Sequence, residues 1–141
     1  MTAPAPIGTL HPFLRYSDPR AAIAWLGRAF GFQPIATYEG PDGNIAHAEL
    51  LLGEGIIMLG AVKEDELNLR TPQQLGAGTQ GVYGVLDDVA AHCGRAMAAG
   101  AEMVRPLATT EYGSTEYCAR DPEGHLWSFG TYRPVVAPIG S

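Results

Sequence analysis

The sequence predicts an α+β fold of two tandem βαβββ modules, and three observations predict it. FLRYSDPRAAIAWLGRAFGF (13–32) and VYGVLDDVAAHCGRAMAAGAE (82–102) share one plan: apolar strand, acidic cap, amphipathic helix, glycine stop. A shift of 69 residues lays Asp18 on Asp87, Ala21 on Ala90 and Gly31 on Gly100. Both helical stretches gather their apolar residues on one face. Each is then followed by three short strand-like runs separated by turn chemistry. The modules fall at 7–60 and 81–132, joined by a polar connection over 61–80 and followed by a tail over 133–141, in a single domain spanning 1–141.

The opening strand lies in LHPFLR (10–15), where strand alternation puts His11, Phe13 and Arg15 on one face. In the first helix Asp18 is placed to cap orphan amides, and Pro19 takes the first helical position, where its missing N–H costs nothing. Ala22, Trp25, Leu26, Ala29 and Phe30 form one apolar stripe, and Gly31 ends the helix. PIATYEG then leads through Gly40-Pro41-Asp42-Gly43 into IAHAELLL, and Gly53-Glu54-Gly55 turns the chain into IIMLG. The second helix repeats the first, with Asp87 or Asp88 as cap, Val89, Cys93, Ala96 and Met97 as stripe and Gly100 as stop. MVRPLAT and STEYCAR follow, and Asp121-Pro122-Glu123-Gly124 has Asp, Pro and Gly at the favoured places of a type I turn before HLWSFGTY.

Composition narrows the function classes. The net charge is -6, and Lys63 is the one lysine among nine basic residues, so no basic stripe exists to neutralise phosphates or dock on anionic lipid. Nucleic acid and membrane are therefore not expected partners. Met1 to Gly8 has no basic n-region or apolar core, and no segment approaches the roughly 20 apolar residues a spanning helix needs, so a cytoplasmic protein is expected. Cys93 and Cys118 form neither a disulfide framework nor a zinc signature and read as reduced, packed thiols.

LHPFLRYSDPRAAIAWLGRAFGF, VLDDVAAH, AAGAE and ARDPEGHLWSFGTY together resemble the vicinal oxygen chelate superfamily. That group includes glyoxalase I, the extradiol dioxygenases, the fosfomycin-modifying enzymes and the bleomycin resistance proteins. IAHAELLLGEGIIML and DPEGHLWSF are similar to its bleomycin-resistance-like or phosphonate-locus-like branch. The resemblance implies sheets that curl around a shared cup, completed as a homodimer. It also implies a divalent metal held by histidine or glutamine on the first strands of the modules and by glutamate on their last strands.

Transferred to this chain, those ligand positions are largely empty of donors. His11 occupies the first; the second is Gly81, or Gln80 if the internal repeat decides; the third is Met58 and the fourth Ser128. Both carboxylates are missing, and catalytic metal sites need about three protein ligands. No cofactor is therefore expected, with His11 the remaining candidate for a metal. A relocated site is the alternative: His47 and Glu49 share a strand face and, with His11, would supply three N/O donors or an acid–base pair.

The same alternation puts Ile56, Tyr83, Val85, Leu126 and Gly130 in the cup with Phe13, Arg15, Met58 and Ser128, and turns Trp127 and Phe129 towards the helices. Arg15 reads either as a bidentate anchor for a carboxylate or phosphate or as half of an ion pair. A mostly apolar cup with aromatic walls suits a small organic molecule. The expected function is metal-independent binding of an antibiotic or metabolite in a dimeric cup, with the ligand pocket His11, Phe13, Arg15, His47, Glu49, Met58, Tyr83 and Ser128. The alternative is a metal-dependent lyase, isomerase or dioxygenase whose catalytic candidates are His11, His47 and Glu49.

Overall fold

A computed structural model describes residues 7–137. Strand β1 (Phe13–Tyr16) leads into helix α1 (Pro19–Phe30), followed by β2 (Gln33–Glu39), β3 (Ile45–Leu52) and β4 (Gly55–Ala61). A short helix α2 (Pro72–Leu75) interrupts the connection, and β5 (Gly81–Val85), α3 (Val89–Ala98), β6 (Glu102–Thr109), β7 (Thr115–Arg120) and β8 (Leu126–Gly130) complete the chain. The strands form two separate four-stranded sheets, ordered β1-β4-β3-β2 and β5-β8-β7-β6. Each has one parallel pair, β1 with β4 and β5 with β8, and is otherwise antiparallel. The sheets do not close on one another.

Helix α1 follows its sequence closely. Asp18 accepts from Ala21 N, Pro19 opens the helix, the expected stripe is buried, and Gly31 stops it at φ 88°. Helix α3 is capped by Asp88, which accepts from Ala91 N. Its buried face holds Val89, Cys93 and Ala96 but not Met97, which is 58% exposed. Eight helical steps beyond Val89 a side chain has rotated roughly 80° from it, and the place between the helices is taken by His92. That ring bonds to Tyr117 OH at 2.6 Å and to Phe30 O at 2.8 Å. The expected polar connection also contains α2, which Thr71 and Gln74 fix through a reciprocal capping box.

The strands and caps of the two modules superpose at a shift of 70, Phe13 on Tyr83, Asp18 on Asp88 and Met58 on Ser128, because Phe13 pairs with Met58 as Tyr83 pairs with Ser128. The glycine stops keep the shift of 69 because α3 is shorter than α1.

The inward faces of both sheets feed one core. Leu14, Tyr16, Leu50, Ile57 and Leu59 from the first meet Tyr117, Ala119, Trp127 and Phe129 from the second around α1 and α3. Phe30 is the junction, with ring centroids 5.6 Å from Trp127 and 4.8 Å from Phe129. A polar lock joins the modules at one end. The buried carboxylate of Asp121 accepts from Tyr16 OH at 2.6 Å and from Trp127 Nε1 at 3.0 Å. Glu123, in the same turn, accepts from Ser17 N and Asp18 N at the head of α1, where an anion is favoured by the helix dipole. His125 reaches Arg15 O at 2.8 Å.

Candidate functional site

Because the inward faces build the core, the residues expected to bind a ligand lie on the opposite, outer faces. Strand register aligns Phe13, Met58, Glu49 and Ala36 across the first sheet and Tyr83, Ser128, Cys118 and Arg105 across the second. Trp127 and Phe129 lie on the inward side, each 1% exposed. Both outer faces are open: Phe13 is 52% exposed and Tyr83 37%.

On the first sheet, Phe13, Arg15, His47 and Met58 line a hollow of about 290 Å³, with Gly60 at its base. A Cβ on Gly60 would run into the Ala46 carbonyl oxygen, so glycine alone allows β3 to bulge over this point. His47 Nε2 lies 2.9 Å from Glu49 Oε2, so this pair is assembled. Arg15 is already committed: it donates to Ala61 O and to Asp65 Oδ2, both at 3.3 Å. Partial burial acts to raise the Asp65 pKa, but bonds from the Asn68 and Leu67 amides and the attraction of Arg15 outweigh it and hold the carboxyl below its ordinary range. The arginine therefore meets the hollow with its charge offset.

His11 stands apart from the His47–Glu49 pair in its bonding. It precedes β1, and its Nδ1 bonds to Ile56 O at 2.9 Å. Together with Tyr83 it lines a cleft of about 540 Å³ between the modules, floored by Phe32, Trp127 and Phe129. This cleft has a structural origin. The turn between β7 and β8 spans Asp121 to His125 and locks onto β1 and α1, whereas the turn between β3 and β4 holds only Gly53 and Glu54 and leaves the equivalent place open.

Register equivalence bears on the ligand positions that the resemblance implies. Phe13 corresponds to Tyr83, so the counterpart of His11 is Gly81 and not Gln80, and the counterpart of Met58 is Ser128. The donor set is thus one imidazole, one thioether, one hydroxyl and a glycine. It carries no anionic oxygen and does not fit the hard or borderline divalent ions that such sites hold. Ser128 Oγ instead accepts from Cys118 Sγ at 3.3 Å. Among the described residues no three His, Cys, Asp or Glu side chains are grouped to hold a metal, so His11, His47 and Glu49 do not converge within one chain.

Sequence reasoning passed over Glu116, Tyr112 and Tyr132, which surround the outer end of β8. Tyr83 OH donates to Tyr132 O at 2.7 Å, and Glu116 accepts from Ser114 Oγ at 2.8 Å. Alternation on STEYCAR gives Glu116 the same parity as Cys118 and would have placed it on the outer face; the tyrosines lie in loops, where no periodicity reports their direction.

A family model described as the Glyoxalase/Bleomycin resistance protein/Dioxygenase superfamily matches residues 8–129. An uncharacterized protein of Mycobacterium bovis is 32% identical over 126 residues, covering 86% of this chain and 81% of that protein. The crystal structure of TioX from Micromonospora sp. ML1 is similar at 36% identity and a TM-score of 0.70, covering 86% of this chain and 98% of that one. UcmS2, at 19% identity and a TM-score of 0.72, covers 91% of this chain and 100% of its own and shares the fold.

Proposed function

Since the chain belongs to the glyoxalase/bleomycin resistance protein/dioxygenase superfamily, we propose that it captures a small organic molecule, an antibiotic or a metabolite, without a metal ion, in a cup completed by a second copy of the chain. The observation that carries this is the donor set at His11, Gly81, Met58 and Ser128, which offers no anionic oxygen at the positions where the resemblance implies glutamate. The second copy is supported by the direction of the sheets. One chain spends both inward faces on its core and leaves two open half-cups, so the outer face of the first sheet needs the second sheet of a partner to enclose a ligand. No helix among the described residues is long and apolar enough to cross a membrane.

The test is a thermal-shift screen of organic molecules on protein stripped with a chelator. A ligand present at 100 times its Kd adds about 2.7 kcal/mol to stability, and the expected shift is equal with and without the chelator. Ligand shifts that vanish on stripping and return with a divalent ion contradict the proposal.

One contact favours a second function. His47, which lines the hollow, and Glu49 lie 2.9 Å apart and have the geometry of an oriented acid–base pair for a lyase, isomerase or dioxygenase. That function requires a turnover which His47→Ala abolishes while its melting temperature stays at the wild-type value.

A further inference from the structure

We propose that the outer face of the second sheet carries a cation subsite, built from Tyr83, Tyr112, Tyr132 and Glu116, which selects ligands bearing an alkylated or protonated amine. The inference rests on the cup described above, since it assigns a ligand charge to one half of it.

The starting point is a carboxylate without a counter-charge. Glu116 on β7 lies opposite Gly130 on β8. Its oxygens accept from Ser114 Oγ at 2.8 Å and from Tyr112 OH at 3.2 Å, both neutral donors. Among the described residues Glu116 joins no ion pair. The carboxylate is thus held in place by hydroxyls and left available.

The second observation is the aromatic wall around it. The Tyr112 and Tyr132 rings stand 5.9 Å apart at 79°, forming a corner beside the carboxylate. Tyr83 closes the base: a Cβ on Gly130 would lie 2.6 Å from Tyr83 OH and 3.0 Å from Glu116 Oε2, so the two polar ends meet over bare backbone. Only a glycine leaves that space. Burial first, and then the negative field of Glu116, push the Tyr83 phenol above its ordinary pKa. Tyr112 and Tyr132 are 67% and 51% exposed, so neither ring is serving the core.

A carboxylate beside two exposed aromatic rings complements a soft cation. An ammonium or quaternary ammonium gains Coulombic attraction from the first and about 0.5–1 kcal/mol from each exposed ring. An anion would meet the like charge of Glu116 here, and Arg15, on the other sheet, is held by Asp65. The net charge of -6 adds a long-range attraction of the same sign.

The experiment compares choline with 3,3-dimethylbutanol, its uncharged isostere, by NMR titration of the wild-type protein, Glu116→Gln and Tyr112→Leu. Two rings at the cited strength correspond to a preference of about tenfold for choline. Glu116→Gln, which keeps the acceptor for Ser114 but removes the Coulombic attraction, and Tyr112→Leu, in an exposed loop, are each expected to reduce that preference. Equal affinity for the two probes, no choline binding, or choline binding unchanged in Glu116→Gln overturns the proposal. These outcomes are separate from failure of the cup: organic ligands that bind without charge preference leave the cup intact and remove the cation subsite, while a monomeric protein that still prefers choline does the reverse.

Discussion

Asp121 shows what a single residue does here and why its role was half visible. Its position ahead of Pro122 and Gly124 marked a turn, and Gly124 N does bond to Asp121 O at 2.9 Å. That its side chain would receive Tyr16 from the far end of the chain had no local signature, because a contact across 105 residues leaves no mark on periodicity. Tyr16→Phe keeps the ring and strips one donor from a buried carboxylate, so urea unfolding is expected to show a loss of about 1–3 kcal/mol. Arg20→Ala breaks an exposed pair with Glu39 and is expected to change stability by at most about 0.5 kcal/mol. His92 provides the pH test. Burial lowers its pKa below the ordinary 6.5. Between those two values the unfolded chain binds the extra proton, so stability is intact above about pH 6.5 and falls as the pH drops through the folded value. His92→Gln is expected to flatten the dependence of the urea midpoint between about pH 7 and 5; an unchanged slope contradicts the assignment.

At the scale of elements, legibility followed chemistry that is local. The stripe, cap and stop of α1 lie within one stretch, and IAHAELLL is β3 from end to end. The stripe of α3 was read from hydrophobicity alone, which favoured Met97 over His92; the histidine enters the interface because it finds two partners there, and a polar residue carries no such signal. The unequal turns between β3 and β4 and between β7 and β8 were visible, but not their consequence, since a cleft arises only when both modules share a core. Two glycines separate fit from propensity. Gly60→Ala drives a methyl into the Ala46 carbonyl and is expected to cost about 1–3 kcal/mol. Gly94→Ala, on the exposed side of α3 with nothing within 4 Å, is expected to stabilise by about 0.5–1 kcal/mol. Both are read from denaturation midpoints, and equal effects contradict the packing described.

For the whole molecule, duplication was plain in the sequence and the assembly of the site was not. Alternation assigned Phe13, Met58, Tyr83 and Ser128 to the cup-lining face of their strands and Trp127 to the face packed on the helices, because a period of two leaves one choice per strand. It said nothing of where the two faces lie relative to one another. The helices α1 and α3 settle that by packing together and turning both faces outward. Nor did the pattern show that Asp65, in the polar connection, would bind Arg15, or that Glu116 would be held by neutral hydroxyls. The proposed function requires a metal-free organic site shared by two copies. Native mass spectrometry of untagged protein, titrated with a ligand from the screen, tests it most directly. A dimer without divalent ions that takes up two ligands is expected. A monomer, or a dimer that carries stoichiometric metal and loses the ligand when that metal is removed, would contradict it.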